Sequence, residues 1–299
     1  MSIEGLIDAF RLPAQALVAQ RIPKKMLVEQ GAPTAADKRL INDTVDELWW
    51  HAALKPGTIA VPAFRAASHA AAEVGGEPAG AVAAGDVSQQ GNGAQATQAT
   101  PAVADVIELA LVFSRLRPGV RDAQAQRLRQ LIHRAIPYPV LLVADAPTSA
   151  QGGVVLSLAH KRLSLGEAGK WVLASTAETH PFNPGQATAT EAQFLASLAL
   201  DQMPRSALLN LAALYQGYAD RVTALAVAQV TGQFAAGAVG AAAATQRQVL
   251  AQRQQFLQQL SAARDAAAKA RQLNQRVALN LQIQRLQGEL QHIDTGLCR

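Results

Sequence analysis

Cysteine is almost absent from this chain of 299 residues, with Cys298 as its single example. One thiol cannot form an internal disulfide, so nothing in the sequence argues for an oxidising compartment. The opening residues 1–5 contain no basic region followed by an apolar run, and no secretory signal is therefore expected. Together these absences predict a cytoplasmic location.

The motifs that usually carry enzyme chemistry are also missing. No Cys/His spacing suits zinc, no GxxxxGK[ST] or GxGxxG loop could cradle a phosphate, and no GxSxG elbow could present a nucleophilic serine. The sequence therefore predicts no metal site and no cofactor, and it favours a non-catalytic protein over an enzyme.

A long hydrophobic run is lacking as well. The stretch 223–244 carries no charged side chain and is about long enough to cross a bilayer. Its apolar residues are mostly alanine, however, and it contains glycine and two glutamines, which oppose insertion. We expect a buried or hinge-like helical segment here.

Aromatic residues make up only 4% of the chain, whereas alanine is abundant and the hydrophobic share is 49%. Alanine buries little area, so a core of this composition requires many helix contacts. The net charge of +5 lies wholly at the C-terminal end, because eight of the 27 basic and three of the 22 acidic residues follow residue 243, which leaves 19 of each before it. A charge so placed indicates a partner rather than a property of the fold.

The first part of the chain predicts an α+β fold, with a mostly antiparallel sheet and helices on one face. A helix that begins at the Thr34–Asp37 capping pair carries Leu40, Ile41, Val45 and Leu48 on one face. Another helix follows Asp122. Strands are predicted at residues 58–61, 106–113, 138–144, 154–159 and 171–174.

The predicted domain division is an α+β domain over residues 1–185 and a helical region over residues 186–299. Residues 66–104, rich in alanine, glycine, glutamine and threonine without periodicity, are interpreted as a disordered insertion in a loop of one sheet. The helical region starts at the capping box of Thr188 and Glu191.

From Thr245 one helix is predicted nearly to the end, with a basic heptad arm over residues 245–293. Leu279, Ile283, Leu286, Leu290 and Ile293 are spaced four, three, four and three, as in a coiled-coil seam. A helix of about 48 residues would extend about 72 Å at 1.5 Å per residue. A small domain cannot cover so long a stripe, so the arm either folds back as a hairpin or pairs with another chain.

Two sets of polar residues are candidate sites. The first is a polar cluster of the α+β domain, in which the strand after residue 137 and a basic turn near residue 160 could converge; its alternative is a helix-capping histidine and a solvated turn. Its members are His133, Tyr138, His160, Lys161 and Arg162. The second set consists of the cations of the arm, which could bind phosphates or a partner, or could form the solvated face of a helix. Its members are Arg247, Arg253, Arg264, Lys269, Arg271, Arg276 and Arg285.

A metal-dependent nuclease is the alternative function. It needs an acid on one strand and an acid-x-lysine on the next, so that a cation can be held against a phosphate. Asp105 and Glu108 could supply acids and Lys161 the lysine, although Ala159 stands where the second carboxylate is wanted.

Several segments together resemble a bacterial family known only as domain of unknown function 4391. The most distinctive is Ile132-His133-Arg134-Ala135-Ile136-Pro137-Tyr138-Pro139; the others are Arg21–Lys25, Leu54–Ile59, Ala159–Arg162 and Leu273–Asn280. The match spans nearly the full chain apart from the 66–104 insertion. The family offers no established catalytic residues to carry over.

The resemblance implies an accessory protein of the restriction or phage-defence kind, encoded beside helicases and DNA methyltransferases. We therefore expect an interaction protein that docks onto such an enzyme, with the basic arm near DNA. Self-association through the C-terminal helix is a further expectation from the heptad seam.

Overall fold

The computed structural model describes residues 2–66, 105–147, 153–163, 171–237, 241–270 and 272–297. Its centre is a six-stranded sheet in the order β1-β2-β3-β4-β5-β6, formed by Leu17–Arg21, Val45–Leu54, Leu109–Leu116, Val140–Ala146, Gly153–Leu163 and Trp171–Glu178. Every neighbouring pair is antiparallel except β3 and β4, which run parallel. Parallel strands need a crossover, and the helix Asp122–Ala135 supplies it.

The helices lie on both sides of this sheet. In chain order they are α1 (Ser2–Asp8), α2 (Lys24–Gln30), α3 (Ala35–Thr44), α4 (Pro56–Ile59), α5 (Asp122–Ala135), α6 (Ala189–Ser197), α7 (Leu211–Thr231), α8 (Ala241–Lys269) and α9 (Leu273–Leu297). Helices α2, α3 and α5 cover one face, as expected for the first domain. The opposite face is covered by α1 together with α6 and α7. The mostly antiparallel α+β fold with a helical C-terminal region is thus confirmed.

Because both faces are covered, the central strands are apolar at nearly every position. Side chains of a strand alternate between faces, so Leu109 and Leu111 pack against α7 while Ala110 and Val112 pack against α5. Side chains of α6 and α7 belong to the same hydrophobic core as the sheet residues on the face that α1 covers. The predicted boundary near residue 185 therefore separates two parts of one continuous core.

Strand β2 was missed by the sequence analysis, which extended α3 through Leu48. The helix ends at Thr44 and the chain enters β2 directly. The register of β2 against β3 shifts between Val45 and Glu47 and again between Trp50 and Ala52. These irregularities break the period of two and space the buried residues three and four apart, which imitates a helix.

Two other predictions were wrong. Residues 58–61 were expected to form a strand, but α4 ends at Ile59 and Ala60 adopts a left-handed conformation with φ of 57°. The sequence analysis also gave no strand at Leu17–Arg21, an exposed edge strand whose register is irregular. The remaining strands occur where they were expected, with bounds that differ by a few residues.

The insertion joins two points that are close together. Phe64 and Val106 form an isolated antiparallel bridge, and the backbone N–H of Ala66 donates to Asp105 Oδ1 at 2.7 Å. The strands nearest to the insertion, β2 before it and β3 after it, are neighbours in one sheet, so the insertion lies within a loop of that sheet, as predicted. The disorder predicted for residues 66–104 falls, apart from Ala66, outside the described residues.

The C-terminal arm is a hairpin of two helices, so the prediction of one continuous helix was wrong. The chain turns between Lys269 and Leu273, and α9 packs back along α8. The predicted seam faces inward: Ile283, Leu286 and Leu290 of α9 pack with Leu260 and Ala263 of α8. Of the two arrangements left open by the sequence, the hairpin is the one observed. The seam is thereby covered within the chain.

The segment 223–244, tested above for membrane insertion, contains the end of α7. That helix stops at Thr231, where Gly232 adopts a left-handed conformation with φ of 74° and terminates it. Within the described ranges, no helix is both long and apolar enough to cross a membrane.

Replacing Leu290 by alanine should open the hairpin. Leu290 is buried between α8 and α9, and deleting such a side chain costs about 2 kcal/mol or more. We expect faster amide hydrogen exchange throughout α8 and α9. Leu281→Ala is the matched control, because Leu281 lies on the same helix but is exposed. Equal exchange in the two variants would contradict the hairpin packing.

Candidate functional site

A cavity of about 470 Å³ lies at the ends of the central strands β3, β4 and β5, beside the start of α7. Its walls come from the segment before β3, the Pro137–Pro139 turn before β4, the end of β5, and the first turns of α7. Tyr138, His160 and Lys161 from the predicted polar cluster line it together. The convergence expected from the sequence is therefore present for these three residues.

Lys161 is held at the cavity by main-chain carbonyls. A register irregularity between His160 and Lys161 interrupts the pairing of β5 with β6. The Nζ atom of Lys161 donates to the carbonyl oxygens of Ile136 and, at 2.8 Å, Tyr138. Ile136 caps the C-terminus of α5, where a cation is favoured by the helix dipole. Burial lowers the pKa of Lys161 to about 8.

His160 stands against Tyr215 of α7. The two rings meet edge to face, with centroids 5.7 Å apart. Burial, followed by the nearby charge of Arg247, lowers the pKa of His160, so its ring is neutral at pH 7. Tyr215 is itself fixed, because its hydroxyl accepts from the N–H of Ala159 at 2.8 Å and lies 3.1 Å from the carbonyl oxygen of Val140.

His133 lies outside this cavity, in the interior between α5 and the sheet. Its Nε2 atom is 2.9 Å from Ser157 Oγ, which donates to Glu178 Oε1 at 2.9 Å. Arg129 binds the same carboxylate through two N–H groups at 3.1 and 2.8 Å. The chain of contacts braces α5 against β5 and β6. Burial, reinforced by Lys161 and Arg129, lowers the pKa of His133 to about 3.

This serine, histidine and carboxylate do not form a catalytic triad. In a triad the acid orients the histidine through its second ring nitrogen, whereas Glu178 binds the serine here. Among the described residues Nδ1 of His133 has no hydrogen-bond partner, and the side chain is fully buried away from any substrate. Because Ser157 donates to Glu178, the Nε2 of His133 carries the proton and donates to Ser157. The network is structural.

Arg162, the last member of the predicted cluster, pairs through its backbone with Val172 of β6 and is not among the residues that line the cavity. A second cavity of about 550 Å³ lies on the other side of Lys161, between the end of α2, the end of α5 and β6. Lys161 therefore lies between two cavities, and the cavity beside α7 has the more apolar lining.

The residues of the nuclease alternative are only partly brought together. Asp105 and Lys161 line the same cavity. Glu108 is buried and pairs with Lys55, its Oε2 atom lying 3.1 Å from Lys55 Nζ. Across the described ranges, no group of three histidine, cysteine, aspartate or glutamate side chains could hold a metal ion.

The cations of the arm divide into two groups. Arg247 binds Asp220 of α7 at 2.6 Å, and Arg253 binds Asp294 at 2.7 Å. The first pair fastens α8 to the body, and the second joins the two helices of the hairpin. The other described cations of the arm are exposed and form no ion pair within the described residues: Arg264, Lys269, Arg276 and Arg285. Arg271 lies outside the described residues.

The hairpin also exposes apolar residues. Leu273, Val277 and Leu281 are 73%, 52% and 63% exposed, and their spacing of four places them along one side of α9. At about 100° per residue this stripe lies opposite the inward face, with Arg276 on one side and Arg285 on the other. We call these three residues the outer stripe. The outer stripe was not predicted, because its residues lie outside the a/d positions of the heptad seam.

Tyr215, Ser157 and Glu178 were likewise not recognised as partners of the predicted cluster. Tyr215 lies on the apolar face of α7, and only the tertiary structure shows that its hydroxyl binds the main chain at Ala159 and Val140. No signal in the sequence pairs Ser157 with His133, since 24 residues separate them.

These features define an α+β protein with a helical hairpin and an apolar cavity whose polar groups do not form a known catalytic set. The chain belongs to the family described as domain of unknown function (DUF4391), which matches residues 10–75 and 99–290. No curated protein and no solved structure matches it. Two segments that carried the resemblance, Ile136–Pro139 and Ala159–Lys161, meet at the cavity.

Stability should decrease as the solution is acidified because of His133. The unfolded chain binds a proton near pH 6.5 and the folded chain only near pH 3, so acidification between these values favours unfolding by up to about 1.4 kcal/mol per pH unit. We expect His133→Gln to reduce the slope of the free energy of unfolding against pH in this range.

The matched control is His292→Gln on the exposed side of α9, which should leave that slope as it is in the original protein. Chemical denaturation at a series of pH values measures both variants. A slope that is the same in His133→Gln as in the original protein would show that His133 is not the buried neutral group described here.

Proposed function

We propose that this protein is a non-catalytic, cytoplasmic accessory protein of a bacterial restriction or phage-defence system. It docks onto a DNA-acting helicase or DNA methyltransferase through its C-terminal hairpin, with the exposed cations of that hairpin close to DNA. The observation that carries this proposal is the outer stripe, an apolar surface on an element anchored to the body, flanked by cations that form no ion pair with the residues the structure describes.

The anchoring supports a binding role for the outer half of the hairpin. Arg247 and Arg253 are used by the fold, and the inward faces of α8 and α9 cover one another. The outer stripe takes part neither in these ion pairs nor in the packing between α8 and α9, although its three large apolar side chains are exposed to water. Contiguous exposed apolar surface of this kind is typical of protein interfaces.

The exposed cations of the hairpin give the proposed DNA contact its basis. Arg264, Lys269, Arg276 and Arg285 can neutralise phosphates without breaking an ion pair that the described fold uses. The identity of the partner as a helicase or methyltransferase rests on the family resemblance. Self-association is less favoured than docking onto another protein, because the heptad seam that suggested it is covered by the hairpin.

Co-purification tests the docking. The chain is expressed with the helicase and the methyltransferase of its own locus, in the original form and with Leu273→Gln, Val277→Gln and Leu281→Gln combined. We expect one of the two enzymes to co-purify with the original chain and at least tenfold less of it with the variant, because the substitutions remove the apolar contact while the residues are solvent-exposed in the free protein.

The control carries Leu17→Gln and Leu209→Gln, which replace exposed apolar residues of the body rather than the hairpin. It should retain the partner. If neither enzyme ever co-purifies, or if both variants lose it equally, the hairpin is not the docking element.

A salt titration of duplex-DNA binding tests the role of the cations. We expect Arg264→Gln, Arg276→Gln and Arg285→Gln together to reduce the slope of log affinity against log salt by about 0.9 per lost phosphate contact. Arg39→Gln, Arg134→Gln and Arg205→Gln form the matched control on the body. Equal slopes for the original chain and the hairpin variant would remove DNA from the proposal.

The protein and DNA of the salt titration also test the nuclease alternative. That alternative is favoured because Asp105 and Lys161 line the same cavity. With Mg²⁺ or Mn²⁺ present, the proposed accessory protein leaves the DNA intact. Cation-dependent cleavage that Lys161→Ala abolishes would favour the nuclease instead.

A further inference from the structure

The cavity beside α7 plays no part in the docking proposed for the hairpin. Its volume of about 470 Å³ lies within the range of small-molecule sites, and such sites combine apolar walls with a few polar groups. Val106, Pro139 and Ala212 are among the apolar residues of its walls. The polar groups come from two sides, β5 and the N-terminus of α7.

On the side of β5, Lys161 provides a positive charge that no carboxylate in the described structure neutralises. An ammonium group has three N–H donors, and two of them are used by the carbonyl oxygens of Ile136 and Tyr138. The third is available to a ligand. His160 is next to it, and neither of its ring nitrogens forms a hydrogen bond with a described residue, so the neutral ring can donate a further one.

On the opposite side, the cavity reaches the start of α7, a helix of 21 residues. The N–H of Leu211 donates to Pro62 and that of Ala213 to Asn210 Oδ1, whereas Ala212, which lines the cavity, makes no such bond within the described residues. First-turn N–H groups and the helix dipole favour an anion at this point. The lysine and the helix terminus are independent features that attract the same charge.

The number and kind of the donors at the cavity indicate the charge of the ligand. One ammonium N–H, one imidazole and one helix terminus suit a monoanion, whereas a phosphate dianion is usually held by arginine forks or several cations. Asp105 lies at the exposed edge of the cavity, where its charge is solvated and weakly felt. The remaining wall is apolar and favours a compact hydrocarbon body.

We propose that this cavity binds an organic carboxylate with a compact apolar body. The carboxylate lies between Lys161 Nζ and the N-terminus of α7, and the body packs against Val106, Pro139 and Ala212. Such a group belongs either to a free small acid or to the C-terminal residue of another chain, since both present one carboxylate beside an apolar side chain.

Two probes test the proposal on the full-length protein: phenylacetate as a free acid, and the peptide acetyl-Gly-Gly-Phe with a free C-terminus. Phenylacetamide and the amidated peptide are their uncharged controls. Saturation-transfer NMR and calorimetry should show binding of the carboxylates and at least tenfold weaker binding of the amides. Tighter binding of the peptide assigns the site to a chain terminus, and equal or tighter binding of phenylacetate assigns it to a free acid.

Variants locate the binding. Lys161→Met should weaken carboxylate binding at least tenfold. Because Lys161 also caps α5, a second variant, Ala212→Leu, fills the cavity and leaves the lysine intact; it should abolish binding. Ala213→Leu is the matched control on the same helix, at a position that does not line the cavity, and should bind as the original protein does.

The pH dependence provides an independent readout. The pKa of Lys161 is about 8, so affinity should fall as the pH rises from 7 to 9.5 in the original protein and stay nearly constant in Lys161→Met. His160 and His133, whose pKa values are lowered, remain neutral throughout this range. Absence of binding by both carboxylates, or equal affinity for the amides, would overturn the proposal.

Discussion

Burial of the central strands on both faces is the constraint on which the rest of this structure depends. Strands β3, β4 and β5 lie between two helical layers, so a polar group that enters the sheet costs free energy unless it finds a partner inside the protein. Ser157 finds His133 and Glu178, and the main chain at Ala159 finds the Tyr215 hydroxyl. Lys161 reaches the carbonyls at the end of α5. His133, Ala159 and Lys161, which lie in the segments that carry the family resemblance, thus help to fix the two helical layers to the sheet.

The need to pair buried polar groups also separates structural residues from candidate ligand-binding residues, which could not be distinguished from the sequence. His133 and Lys161 both looked like site residues, and both are bound into the fold. His133 has no route to solvent, whereas Lys161 retains one N–H at a cavity. Burial and the direction of a side chain decide this difference, and neither can be deduced from residue type and spacing. The arm shows the same division, since Arg247 and Arg253 are structural while Arg276 and Arg285 are exposed.

Where the sequence carries a strong local signal, the prediction was right. The capping pairs at Thr34 and Thr188, the helix near Asp122, and the strand β4 all occur as expected. The failures have physical causes. Irregular pairing in β2 produced helical spacing, and the sequence between α8 and α9 contains neither glycine nor proline to mark the end of the first helix. The cavity could not be predicted at all, because its walls come from four separate segments that only the tertiary fold brings together.

The bridge between Phe64 and Val106 has a consequence for the length of the chain between them. The two ends of the insertion meet, and the cost of closing a loop grows only with the logarithm of its length, by about 0.6 kcal/mol for each doubling. The match to the family is interrupted at residues 76–98, within this stretch. The number of residues between Phe64 and Val106 can therefore change by a factor of two at a small cost in free energy, so the length of this insertion is only weakly coupled to the stability of the rest of the fold.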